Sequence, residues 1–313
     1  MRIALAWAGA VLVVGGAIAG GVAVANATVF SAASFAEDYL RALAAGRVDE
    51  VLALPGVDDE GLDDALLDPA ALGTFRFEVR GDTERGGVHA VRVAFGATHL
   101  DHEAVLRVER TGSRFLLFPA WGFASSPVTE LELGTTGDER LTVGEVPLTI
   151  DGGEPVAFAA LTPGIYRVGH DSAFLHADPT TVVATGTAQS LTVDVEPNDA
   201  FVAAVQEAME ADLDACAAQT VLFPTGCPFG WSIEDRVASE PLWTIAEMPD
   251  AEIAASDEIG LWAVPPVHGV AHLSVEVQSI FDGTISTLEE DVPFDANYLI
   301  AFDDDRVALI PGY

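Results

Sequence analysis

Lysine is missing from all 313 residues, and each of the fourteen basic side chains is Arg. That absence alone removes chemistry. Without Lys there is no G-x-x-x-x-G-K phosphate loop, no protein-kinase strand lysine, no S-x-x-K acyl-enzyme site and no Schiff base. The chain also lacks a G-x-S-x-G elbow and an H-E-x-x-H helix, so the commonest exported serine hydrolases and zinc proteases have no signature in it. Cysteine is almost absent, Cys216 and Cys227 being the only two. No further ligands stand around them at zinc-like spacing, and no cysteine precedes the body to carry a lipid. Positive charge is scarce: from Thr28 onward thirteen Arg face forty-nine Asp and Glu. A field of that sign repels nucleic acid, anionic headgroups and anionic wall polymers, and favours cations or basic surfaces. A diffuse acidic coat that keeps an exported protein soluble, screened over about 8 Å at physiological salt, accounts for the same composition without any specific cation site.

Against these absences stands one long apolar run. Residues Ile3 to Ala25 are 23 consecutive uncharged positions. As a helix they would reach about 35 Å, enough to cross a hydrocarbon core of about 30 Å. Ala25-Asn26-Ala27 also reads as a small-residue cleavage site, so a cleaved signal peptide and an uncleaved anchor both remain open; the length of the run favours the anchor. Arg2 is the only charged side chain on the N-terminal flank, which keeps that end cytoplasmic and the body outside. The expected location is thus the cell membrane, with a single pass and an extracytoplasmic body. Gly16 and Gly20 form a G-x-x-x-G pair that permits weak self-association of the span. An oxidising compartment makes a Cys216–Cys227 disulfide the natural expectation, and closing a loop of that size stabilises the fold by about 3 kcal/mol.

Behind the run the periodicity changes three times. A capping box at Ser34 and Glu37 opens a helix with Phe35, Tyr39, Ala42 and Leu43 on one face, followed by a shorter helix from Val48 and strand-like runs between Thr74 and Phe118. Short β segments separated by Asp151-Gly152-Gly153 and Pro163-Gly164 fill Pro127 to Pro197. A helix from Phe201 to Ala218, with Asp199 as its candidate cap, then precedes strands from Leu242 to Ile310 and a hairpin turn at Asp282-Gly283. The expected fold class is α+β: an N-terminal transmembrane helix or signal peptide (1–27), an α+β domain (28–125), a small β-sandwich (126–198) and a second α+β domain carrying the disulfide (199–313).

The stretch "FAEDYLRALAAGRVDEVLAL" resembles the opening of NTF2-like and cystatin-like exported domains, and "LTPGIYRV", Leu161 to Val168, is similar to the strand of PEGA-like envelope β-domains, where Tyr166 would close the core at a sheet corner. In order of parts, the chain resembles the exported portion of single-pass envelope proteins of the TcaA type and their actinobacterial relatives. NTF2-like domains serve as enzymes or as plain binding and assembly modules, so the resemblance implies a place in the envelope and leaves the role to the residues.

Candidate sites are sparse. His99, Asp101, His102 and Glu103 form the densest group of metal-ligating types, although on a strand positions 99 and 102 face opposite ways. His268 and His272 share a strand face. The acidic runs Asp58-Asp59-Glu60 with Asp63-Asp64, and Asp303-Asp304-Asp305, lack the D-x-D-x-D-G order of a calcium loop. Neither metal nor cofactor is expected, and no catalytic residue is assigned. The expected function is non-catalytic binding or sensing of an envelope protein or wall component at the membrane, without nucleic acid. The alternative is an exported hydrolase with a carboxylate pair in an NTF2-like cavity.

Overall fold

The computed structural model describes residues 20–21, 23–26, 28–59, 61–114, 117–256, 259–303 and 306–313. Helix α1 (Ala32–Ala44) begins earlier than the Ser34–Glu37 box predicts, because Ser31 is the cap: its hydroxyl accepts the Ser34 N–H at 3.1 Å. Its buried face, Ala36, Tyr39, Leu40 and Leu43, lies on an antiparallel sheet of order β1 (Arg76–Arg85), β2 (Val88–Gly96), β3 (His102–Arg114), β4 (Phe118–Phe123). Period-two alternation points Val91, Val93 and Phe95 of β2, and Ala104, Leu106 and Val108 of β3, into the core, and leaves Arg92, Arg107 and Glu109 outside. Burying each large apolar side chain contributes about 1.5–3 kcal/mol, so these few alternating positions and the facing helix stripe suffice to hold α1 in place. A short helix α2 (Val48–Leu52) adds Val48 and Val51 to the same core.

The chain visits the next layer before it builds this sheet. Residues 63–73 cross to the β-sandwich, where the Ala159 N–H donates to Asp63 O at 2.8 Å, Glu145 N–H to Ala70 O at 2.9 Å and Gly73 N–H to Ile165 O at 2.7 Å. The sandwich has a three-stranded sheet, β11 (Gln189–Asp194), β5 (Val128–Thr136), β8 (Val156–Leu161), and a five-stranded sheet, β12 (Glu196–Pro197), β10 (Leu175–Ala184), β9 (Gly164–Asp171), β6 (Arg140–Val143), β7 (Val146–Thr149). Tyr166 is fully buried, and its hydroxyl accepts the Leu161 N–H at 2.7 Å, which turns the P-G-x-Y segment into a corner between β8 and β9. Tyr39 reaches the same corner from α1, donating to Thr162 O at 2.5 Å; burial raises its phenol well above the usual range.

Helix α3 (Asp199–Ala217) is capped by Asn198, whose side-chain oxygen accepts the Phe201 N–H at 3.0 Å, so Asp199 is a first-turn residue and not the cap. Phe201, Val205, Met209, Leu213 and Cys216 form its buried stripe. They pack on a six-stranded half-barrel of β13 (Arg236–Val237), β14 (Leu242–Glu247), β15 (Ala254–Ala255), β16 (Trp262–Gln278), β17 (Ile285–Phe302) and β18 (Val307–Pro311), in which β16 and β17 are the long central pair. The Cys216–Cys227 disulfide is present, with Cα atoms 5.7 Å apart, and ties the end of α3 to the following loop.

Two hydrophobic clusters hold the protein together. One unites α1, α2 and the first sheet with Ala159, Leu161 and Ile165 of the sandwich; the other runs without a break from the sandwich into the half-barrel. Phe201 is the joint of the second. Its ring lies 5.2 Å from Phe174 of the sandwich, 4.8 Å from Phe302 and 6.3 Å from Trp262 of the half-barrel.

The α+β expectation is overturned, since strands hold 49% of the described residues and helices 18%. The reason lies in segments whose punctuation reads as loop but which continue strands. Pro265-Pro266 occupy a bulge between Val264 and Val267, and β16 runs through them. Asp178-Pro179 occupy another bulge, between Ala177 and Thr180, inside β10, a strand the periodicity does not predict. The N-terminal transmembrane helix expected over Ile3–Ala25, with Gly16, falls mostly outside the described residues. Among the described residues no helix is long and apolar enough to cross a membrane.

Candidate functional site

A cleft of about 1100 Å³ opens between the first sheet and the sandwich. Its floor is the outer face of β9 and β10, one wall is the crossing segment 69–74, and the other is the turn between β2 and β3. Register fixes the floor: Ile165 pairs with Val183, Arg167 with Thr181 and Asp171 with His176. Odd residues of β9 face outward because Tyr166 and Val168 occupy the core. Midway, Gly169 lies under the β10 bulge, and a Cβ there would come within 3.1 Å of Ala177 O and Pro179 Cα. The β2–β3 turn is equally tight, since a Cβ on Gly96 would meet His99 O at 1.8 Å.

This geometry sorts the residues singled out from sequence. His99, Asp101 and His102 all line the cleft, with His102 Nε2 3.5 Å from Asp101 Oδ1 and its ring beside Phe95, whereas Glu103 sits on the outward row of β3. His268 and His272 are remote from it. Each pairs with the residue opposite on β17, His268 Nδ1 with Asp295 at 3.0 Å and His272 Nδ1 with Asp291 at 2.7 Å, on a solvated face. Asp59 and Asp63 cap turns by accepting the N–H groups of Gly61 and Ala65, and Asp303 accepts from Arg306. Glu60, Asp304 and Asp305 lie outside the described residues. Among the described residues, no three His, Cys, Asp or Glu converge as a metal-binding group.

Sequence reasoning passed over the floor itself, namely Arg167, Asp171, His176 and Asp178, and the buried His170 at its edge. The run Thr181-Val182-Val183 was the available signal for a strand there, and Asp178-Pro179 masked it. Four of the seven histidines, His99, His102, His170 and His176, line this one cleft. His170 is buried, with Nε2 3.0 Å from Ser172 Oγ, and burial pushes its imidazole below the ordinary value against the pull of Asp138. Burial works to raise the neighbouring Asp138 carboxyl, but the hydrogen bonds from the Arg140 guanidinium, at 2.8 and 2.9 Å, and from its N–H outweigh that and hold it low. His176 Nδ1 is buried and has no hydrogen-bond partner. The side chains of Arg167, Glu145 and Asp178 make no ion pair or hydrogen bond among the described residues, and the Asp171 carboxylate acts on His170 through its charge.

Fold and site together define a mainly β protein of several sheets with a cleft of mixed polar and apolar lining between two of them. The chain matches no protein-family model and no curated protein. A solved structure from Bacteroides fragilis, described as a candidate membrane-associated protein of unknown function, aligns over 59% of this chain and 99% of its own at 11% identity, with a TM-score of 0.13. That likeness is too slight to inform either fold or function.

Proposed function

We propose that the chain is a non-catalytic binding module of the bacterial envelope, held at the membrane by Ile3–Ala25 with its body outside, that senses a protein or wall component through the cleft. The observation that carries this reading is the cleft's charge: the Arg167 guanidinium and the carboxylates of Glu145, Asp171 and Asp178 line one space without forming an ion pair with one another. A few convergent polar groups in a largely apolar cleft are what orients a ligand. The Cys216–Cys227 disulfide supports an oxidising compartment, and the resemblance of "LTPGIYRV" to envelope β-domains points the same way. A hydrolase cavity on the inner face of the first sheet finds no support, because α1 fills that face with Tyr39, Leu40 and Leu43.

The test is a photocrosslinking residue placed at Thr181 in the cleft, and in a control at Thr287 on the outer face of β17, in cells that make the full chain. A reproducible adduct from Thr181 alone, in the membrane fraction, is expected. Adducts from neither position, or recovery of the chain from the cytosol, would sink the reading.

A further inference from the structure

Resting on that reading, we propose that the cleft takes a short peptide with both ends free, its carboxylate on Arg167 and its ammonium at the Asp171 and Asp178 end. The cleft's charge is mixed, and the mixture decides the ligand class. One guanidinium faces four carboxylates, Asp101, Glu145, Asp171 and Asp178, so a small anion is repelled at neutral pH while a simple cation leaves Arg167 unanswered. No metal-binding group of three converges among the described residues. A zwitterion answers both signs at once.

The strand supplies the ruler. Arg167 and Asp171 stand on the same face of β9, four residues apart, which is about 13 Å at the rise of a strand. An extended peptide advances about 3.3–3.6 Å per residue, so three or four residues place their terminal charges over those two positions. Between them the β10 bulge crosses over Gly169, so Pro179 lines the cleft there, and the paired Ile165 and Val183 provide an apolar wall for small side chains. His176 stands opposite Asp171 in the register and lines the same end of the cleft. Arginine holds a carboxylate through two parallel N–H donors, so the C-terminal end is the more stringently read of the two.

Calorimetric titration of the full chain at neutral pH with tetra-alanine, its N-acetyl form, its C-terminal amide and dialanine tests this directly. Tetra-alanine is expected to bind, with the amide and the dipeptide each at least tenfold weaker and the acetylated form weakened by a smaller factor. Arg167→Gln should abolish discrimination between acid and amide, and Asp171→Asn discrimination between free and acetylated amine; both residues are exposed, so an unchanged melting temperature certifies each fold. Equal binding of acid and amide, equal binding of dialanine, or no heat at millimolar tetra-alanine would overturn the proposal. If peptides fail while crosslinking at Thr181 still captures a partner, the peptide class is wrong and the binding-module reading survives.

Discussion

Replacing Phe201 with Ala tests whether the sandwich and the half-barrel are one cooperative body. The side chain is fully buried and touches aromatic rings on both sides of the junction. Truncating a buried Phe costs about 3–5 kcal/mol, made of lost transfer energy and the cavity left behind, and Phe201 sits at the high end because Phe174, Phe302 and Trp262 lose a common partner. For a cooperative unit of about 150–250 residues each kcal/mol lowers the melting temperature by about 2–4 °C, so a drop of about 6–20 °C follows. Hydrogen exchange read peptide by peptide is the decisive assay. Protection should fall together in β9–β10 and in β16–β17, and less in β2–β3, whose core is the other cluster. If β16–β17 lost protection while β9–β10 kept the wild-type level, the shared core would be refuted and the two parts would be independent units.

Replacing Cys216 and Cys227 with Ser should lower stability by about 3 kcal/mol in urea melts, and reductant should cost the wild type a similar amount; indifference to reductant would contradict the chain-entropy account. Asp138→Asn removes the carboxylate that Arg140 grips, at a cost of about 1–3 kcal/mol at neutral pH. Because the folded carboxyl is held low, its contribution is present above the unfolded value near 3.8 and fades as pH falls through the lower folded one, so variant and wild type should converge in acid melts. Asp212 accepts hydrogen bonds from the Tyr298 and Tyr313 hydroxyls at 3.0 and 2.7 Å, and the Tyr313 phenol is pushed up to about 12, first by burial and further by Asp212. The neutral phenols therefore stabilise the fold below the ordinary value of 10.0, and that support is lost as pH rises through the folded values. Asp212→Asn should bring the Tyr313 titration down toward 10.0 in ultraviolet absorbance, and an unmoved curve would remove Asp212 from the account.

Much of the local structure was legible in the chain because it depends on neighbours in sequence. The α1 stripe, the α3 stripe from Val205 to Cys216, the alternation of β2 and β3 and the Asp282-Gly283 hairpin follow from spacing and turn chemistry, and the Tyr166 corner from the resemblance of Leu161 to Val168 to envelope β-domains. The caps were misplaced by one to three residues, since Ser31 and Asn198 compete with equally suitable Ser34 and Asp199. The larger errors share one cause. Proline and Asp-Pro punctuate a chain in isolation, but a long partner strand absorbs them as bulges, which is how β10 and the middle of β16 were taken for loops. The β10 side of the candidate site, with His176 and Asp178, is hidden in the sequence for that reason.

Net charge shows the same division. A composition of fourteen Arg against forty-nine acids predicts repulsion of anything negative, yet seven of those Arg fall between Arg76 and Arg114 beside six carboxylates, and the first sheet gathers Arg76, Arg80, Arg92 and Arg107 on its open face.

Absence and periodicity are properties of the sequence by itself. The missing lysines excluded whole reaction classes, and two cysteines without further ligands at zinc-like spacing pointed to their bond, because neither conclusion needs a third dimension. Pairing register is another matter. Only the tertiary structure could bring the β2–β3 turn, the 69–74 crossing and the outer face of β9 around one space, since each lies far from the others in sequence and what unites them is burial of the opposite faces of the same strands.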